Sequence, residues 1–172
     1  MAFNWREHED ETIEYHFNPR LSIPNAMDIL QSIPTISASA RESLEGQIDI
    51  RYGKRPKETL DVFPAKSHKL GTPPPALIFI HGGYWRMMDK SDHSHVASDM
   101  VYDGLTHISL NYDLCPSVTL DDIVDEIRNA IIFIYHDDTC KFHEAKPFFI
   151  SFTFRIIKRM DWYNLLYKGR IL

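Results

Sequence analysis

Residues 75–85 read Pro75-Ala76-Leu77-Ile78-Phe79-Ile80-His81-Gly82-Gly83-Tyr84-Trp85, and this stretch decides the fold class. Five apolar residues in a row, Ala76–Ile80, predict a strand covered on both faces, as strands of parallel sheets are. Three prolines at 73–75 hold the approach to it extended and forbid helix. Two glycines directly after it let the chain turn sharply and bring backbone N–H groups close to a ligand, with no Cβ in the way.

Working outward, the pattern alternates between helix and strand. Residues 92–103 predict a helix with Ser91 as its N-cap, burying Val96, Ala97, Met100 and Val101 and ending at Gly104. A strand follows over 106–111. Thr119-Leu120-Asp121-Asp122 reads as a capping box. The helix it opens places Ile123, Val124, Ile127, Ala130, Ile131 and Ile134 on one face. On that helix Asp121, Asp122, Asp125 and Glu126 read as the first turn and the solvated side. Residues 147–151 predict a further strand. Upstream, 47–52 alternates polar and apolar like a half-buried strand, 53–56 is a turn, and 58–63 completes a hairpin. The first 45 residues read as short helices, 25–31 and 37–44, the second stopped by Gly46. Hairpin, strand, helix, strand, helix, strand is an α/β order with βαβ crossovers and a mostly parallel sheet.

The chain has 172 residues, 44% apolar and 25% charged, which is enough for one domain with a core. A net charge of −5 argues against a general binder of nucleic acid or acidic membranes. Cys115 and Cys140 make no disulfide framework and fit a reducing compartment. No apolar segment resembles a secretory leader or reaches the roughly 18–20 residues that span a bilayer. Together these predict a cytoplasmic protein. Charge divides unevenly: 12 Lys/Arg against 22 Asp/Glu in residues 1–140, then 7 against 2 in 141–172, where 8 of the 21 aromatics also lie. The expected organisation is a helical segment over 1–45, an α/β domain over 46–151, and a divergent basic, aromatic tail over 152–172. Splicing, intron read-through or a frameshift would account for such a tail.

The stretches PALIFIHGGYW (75–85) and LNYDLCPSVTLDDIVDEIRNAIIFIY (110–135) resemble the α/β-hydrolase superfamily, and within it the kynurenine formamidase (arylformamidase) group and its esterase relatives. YHFNPRLSIPNAMDIL (15–30) and the hairpin sequence resemble the start of the same enzymes. The resemblance runs over about 13–151 and implies the N-terminal part of an α/β-hydrolase fold, with an incomplete sheet. It implies hydrolysis of N-formylkynurenine to kynurenine and formate in tryptophan breakdown, or of small esters, by a Ser–Asp–His triad without metal or organic cofactor. It further implies that the N–H groups of Gly82, Gly83 and Tyr84 contribute to an oxyanion hole and that His81 braces the loop. Tyr84 and Trp85 would wall the pocket, while Asn111, Tyr112 and Asp113 would shape the neighbouring strand end.

The superfamily's nucleophile is the serine of Gly-x-Ser-x-Gly, on a turn too tight for flanking side chains. None of the seven glycines, at 46, 53, 71, 82, 83, 104 and 169, forms that pattern. Residues 146–151 read as the strand before the elbow. Phe152-Thr153-Phe154-Arg155-Ile156 then stands in the elbow's place, with Phe154 where the serine belongs. The acid and base follow later in the superfamily and would fall beyond Leu172.

Nothing else in the sequence replaces them. Ser91, Ser94 and Ser109 lack an elbow, and Cys115 reads as a small buried thiol. His136-x3-Cys140-x2-His143 and Asp92-His93-Ser94-His95 lack the four-ligand pattern of a zinc site. The expectation is a hydrolase-family chain without triad activity, taking a small acyl or formyl substrate by family. The alternative is a non-catalytic binding or dimerisation module that keeps the HGGYW pocket, as a homo-oligomer or paired with a full-length relative.

Overall fold

A computed structural model describes residues 4–66, 74–136 and 148–152 of the chain. Five strands, β1 (Gln47–Arg51), β2 (Thr59–Phe63), β3 (Ala76–Ile80), β4 (Thr106–Leu110) and β5 (Phe148–Phe152), form one sheet in the order β1-β2-β4-β3-β5. The hairpin β1/β2 is antiparallel and joins β4 antiparallel. β4, β3 and β5 run parallel, with Ile80 opposite Leu110 and Phe152. The C-terminal ends of three parallel strands therefore lie level, and the glycine loop leaves from the middle one.

The helices are α1 (Asp10–Phe17), α2 (Pro19–Ser22), α3 (Ala26–Ser43), α4 (His95–Tyr102) and α5 (Leu120–His136). On one face of the sheet Leu60, Val62, Ile78, Ile80, Ile108 and Leu110 form a core with Ile123, Ile127, Ala130, Ile131 and Ile134 of α5. Residues alternate across a strand, so Asp61, Phe63, Phe79, His107 and Ser109 face the other way. There Phe63 packs with Leu44, Ala97 and Val101.

Several local expectations need correcting. Residues 25–31 and 37–44 are one helix, because α3 runs 18 residues straight through Pro34. Burial of Ala26, Ser37 and Ala40 holds it together despite the hydrogen bond that a proline removes. The helix predicted over 92–103 is a 3-10 turn, Lys90–His93, followed by the shorter α4. Its cap is Asp89 rather than Ser91, through a reciprocal capping box with Asp92. Val96 and Met100 are half-buried, and of that face Ala97 and Val101 are buried. On α5, Val124 is half-buried, and the capping box at Thr119 forms with Asp122. Glu126 leaves the solvated side: only 2% exposed, it accepts the Asp113 N–H at 2.8 Å and Arg55 Nη1 at 2.9 Å. β1 is largely exposed rather than half-buried, as an edge strand can be. Cys115 is half-buried rather than buried.

Candidate functional site

The loop after β3 is built on a left-handed turn. Gly83 has φ +110°, Tyr84 +57° and Trp85 +59°. The Gly83 carbonyl accepts both Arg86 N–H and Met87 N–H at 3.1 Å, so one turn of left-handed helix closes there. That conformation costs L-residues roughly 1–2 kcal/mol each, a strain that surrounding structure must impose. Gly83 is obligatory: a Cβ there would sit 2.1 Å from the Met87 carbonyl oxygen. Among the described residues no acceptor receives the N–H of Gly82 or of Gly83. Among the described residues, two backbone donors at the C-terminal end of a parallel strand are thus without an acceptor.

Beneath the turn His81 is only 3% exposed. Its ring stacks on Tyr112, centroids 4.3 Å apart and planes 7° from parallel. Nδ1 lies 2.7 Å from the Gly82 carbonyl and Nε2 lies 3.0 Å from Asn111 Oδ1. Tyr112 Oη donates to the His81 carbonyl at 2.8 Å. Burial pushes the His81 imidazole below the ordinary histidine range, outweighing the contacts with Gly82 and Asn111 and the nearby charge of Asp89, which favour a protonated ring. Burial likewise pushes the Tyr112 hydroxyl up to about 12. Trp85 packs against the main core, and its carbonyl accepts Cys115 N–H at 2.8 Å. Tyr84 is 68% exposed, its ring 5.5 Å from that of Trp85.

The far end of the loop is tied down by residues that sequence reading passed over. Asp89 accepts Asn111 Nδ2 at 2.8 Å, Lys57 Nζ at 3.2 Å, Ser91 N–H at 3.1 Å and Ser91 Oγ at 3.0 Å. Burial alone would raise its pKa, but these hydrogen bonds prevail and hold the carboxyl well below the usual carboxylate range. Lys90, 3% exposed, sends Nζ to Asp49 at 2.5 Å and to Asp61 at 2.7 Å. Asp61 is fully buried and also pairs with Arg41. It accepts the N–H of Asp49 at 2.9 Å, a residue at φ +59° where the β1/β2 register slips. A carboxylate and an ammonium at such depth persist because each is answered by several partners. The clue available in the sequence was Asp89 three residues before Asp92, the spacing of a capping box.

Beyond His81 the rings continue. His93 lies 6.2 Å from His81 and 5.6 Å from Phe79. Burial, then the charges of His81 and His95, lowers its pKa. Among the described residues no group of three His, Cys, Asp or Glu side chains is placed to hold a metal ion. Phe154, and Cys140 and His143 of the histidine–cysteine spacing, lie outside the described residues.

Comparison with known proteins follows the same boundaries. The BD-FAE family matches residues 60–150, from β2 into β5 and more than half of the chain. The chain belongs to the BD-FAE family. Relatives of this BD-FAE chain that carry the name kynurenine formamidase include those of Salmo salar and Drosophila melanogaster. That of Salmo salar is 26% identical over 139 residues, covering 76% of this chain and 46% of that protein. That of Drosophila melanogaster is 30% identical over 116 residues, covering 65% and 38%. The chain thus spans about half the length, or less, of these curated relatives. A crystal structure assigned as a thioesterase, from Silicibacter sp. TM1040, superposes with TM-score 0.65 at 27% identity, over 79% of this chain and 49% of that one. Esterase B of Lactobacillus rhamnosis superposes with TM-score 0.59 at 17% identity, over 84% and 46%, a likeness of fold. The BD-FAE chain is part of an α/β-hydrolase fold, and no helix among its described residues is long and apolar enough to cross a membrane.

Proposed function

We propose that the loop over 81–89 is the oxyanion-binding half of a serine-hydrolase site of the kynurenine formamidase kind, acting on a small formyl or acyl substrate in the cytoplasm. The observation that carries this reading is the left-handed turn at Gly83, Tyr84 and Trp85, with the N–H groups of Gly82 and Gly83 at its start unengaged among the described residues. Donors fixed in place before the reaction stabilise an oxyanion without reorganising, and one such donor is worth about 2.7–4 kcal/mol of transition-state stabilisation. His81, Gly82 and Gly83 form the binding loop, with Tyr84 and Trp85 as its wall. The attacking hydroxyl has no counterpart in these 172 residues, since no Gly-x-Ser-x-Gly occurs in them. The segments 1–45, 46–151 and 152–172 are then a helical flank, the partial hydrolase domain and a divergent tail.

Two measurements on the purified 172-residue chain test this. Titration with formate or acetate is expected to shift the Gly82 and Gly83 amide resonances selectively, and absence of any shift there sinks the oxyanion reading. N-formylkynurenine and p-nitrophenyl acetate are expected to hydrolyse at the buffer rate. Turnover that a serine-directed phosphonate abolishes would show that a nucleophile is present after all.

A second reading, a non-catalytic pairing module, is favoured by β5. Among the described residues it pairs on one side only, with β3, and an unpaired edge invites a further strand. A second copy of this chain or a full-length relative is the expected partner.

A further inference from the structure

The Asp89 carboxylate accepts hydrogen bonds from Asn111, Lys57 and Ser91, none of them a glycine of the loop. Asp89 is a carboxylate, so it can only accept hydrogen bonds. The atom of Asn111 that faces it at 2.8 Å is therefore the amide nitrogen, and Asn111 Oδ1 is turned back toward His81 Nε2 at 3.0 Å. The main chain of Asn111 is itself held at both ends: its N–H donates to the Thr59 carbonyl at 3.0 Å and its carbonyl accepts Tyr52 Oη at 2.6 Å. The amide has little freedom to do anything but relay. His81 faces an acceptor at each nitrogen, Asn111 Oδ1 and the Gly82 carbonyl, and burial limits the ring to one proton at neutral pH. The two acceptors are not equal. The chain from Nε2–H through the Asn111 amide ends on a negative charge, and polarised hydrogen-bond chains reinforce one another in a water-poor setting. The Gly82 carbonyl carries no such charge.

We propose that Asp89 is the positioning residue of the glycine loop: its carboxylate fixes the Asn111 amide, the amide fixes the proton of His81 on Nε2, and the ring so held fixes the Gly82 peptide. The relay is a property of the fold; its value for hydrolysis rests on the reading of the loop as an oxyanion site. The other groups around the ring are Tyr112 stacked on it and His93 at 6.2 Å; Lys57 Nζ lies 3.2 Å from the same Asp89 oxygen that accepts the Asn111 amide. Lys90 contributes only its N–H, at 3.4 Å from Asn111 Oδ1, its ammonium being turned to Asp49 and Asp61.

The test is long-range proton–nitrogen NMR of the histidine rings in the full 172-residue chain. Wild type is expected to hold the His81 proton on Nε2 at pH 7. Asp89→Asn is isosteric and still caps the 3-10 turn, but it frees the Asn111 amide. It is expected to move proton density to Nδ1 and to lower the His81 titration midpoint by about one pH unit. Asn111→Asp puts the charge in contact with the ring and raises that midpoint by about two pH units. Ser91→Ala removes the hydroxyl donor from the other oxygen of Asp89, keeps the backbone N–H there, and should leave the His81 signals in place. A wild-type proton on Nδ1 overturns the proposal, and so does a folded Asp89→Asn variant with unchanged tautomer and midpoint. Should that variant not fold, the wild-type tautomer and the Asn111→Asp midpoint decide. Failure of formate to shift the Gly82 and Gly83 amides would remove the oxyanion reading while leaving the His81 result standing.

Discussion

His107 shows how far one buried side chain can set the behaviour of the whole fold. It lies on β4 with no exposure, its Nε2 3.0 Å from Ser109 Oγ and its Nδ1 without a hydrogen-bond partner among the described residues. The rings of Phe79 and Phe63 stand 5.8 and 6.3 Å away. Burial pushes its pKa down to about 4, against 6.5 when unburied. Between those values the unfolded chain takes up a proton that the folded chain refuses, so stability is complete above pH 6.5 and is lost as the pH falls toward 4. The loss reaches about 3 kcal/mol for this ring alone. Urea unfolding followed from pH 7 to 4.5 should show it. His81 and His93, lowered in the same direction, add to the slope. His107→Phe is expected to flatten the slope by about one proton, and equal slopes in the two proteins would count against this account. Gly83→Ala tests the opposite kind of residue, one whose backbone matters and whose side chain is missing. The forced φ and the clash with Met87 are expected to cost about 2–3 kcal/mol in the same assay. Gly83 was legible in the sequence because glycine pairs after an apolar strand have few explanations. The burial of Lys90 and Asp61 was not, because each is buried only by virtue of partners brought from other elements.

At the scale of elements, legibility follows the same division between local and remote causes. β3 and α5 could be read because an apolar run and an i, i+4, i+7 stripe are local patterns. α3 could not be read as one helix, since the packing of Ser37 and Ala40 that overrides Pro34 is remote in sequence. Ser37 alone reaches the Asp92 carbonyl and His95 Nδ1. This makes Pro34 a net burden: it is exposed, removes one helical hydrogen bond and strains the preceding turn. Pro34→Ala is expected to stabilise the chain by about 1–2 kcal/mol, the helical gain being partly offset by a more disordered unfolded state. Helicity measured by circular dichroism should not fall, and a lower melting temperature would contradict the argument. Glu126 is the converse case, an acid at a position that looked solvated and yet joins α5 to the hairpin turn at Arg55 and to Asp113 in the loop after β4. Burial pushes its carboxyl up, against the Asp113 N–H and the charge of Arg55. Glu126→Ala leaves a backbone donor without its acceptor and is expected to cost about 1–3 kcal/mol.

For the molecule as a whole, the sheet order shows what each end has to tolerate. On the β1 side the sheet ends in a strand with exposed side chains, a register slip and Asp49 in a left-handed conformation, devices that discourage a further strand. On the β5 side the strand runs parallel to β3 without a register slip from Ala76 opposite Phe148 to Ile80 opposite Phe152. This chain covers 46% of each of two kynurenine formamidases that match it. The two ends therefore differ in what they allow, and the difference can be measured. Light scattering behind size-exclusion chromatography is expected to show mass rising with concentration as β5 edges pair. Hydrogen exchange should localise the contact: amides of residues 148–152 are expected to exchange more slowly as concentration rises, while those of β2 and β4, already paired on both sides, hold constant. A monomeric mass across the concentration range, with exchange at 148–152 independent of it, would mean that the β5 edge is closed within the chain itself. The pairing reading would then fail.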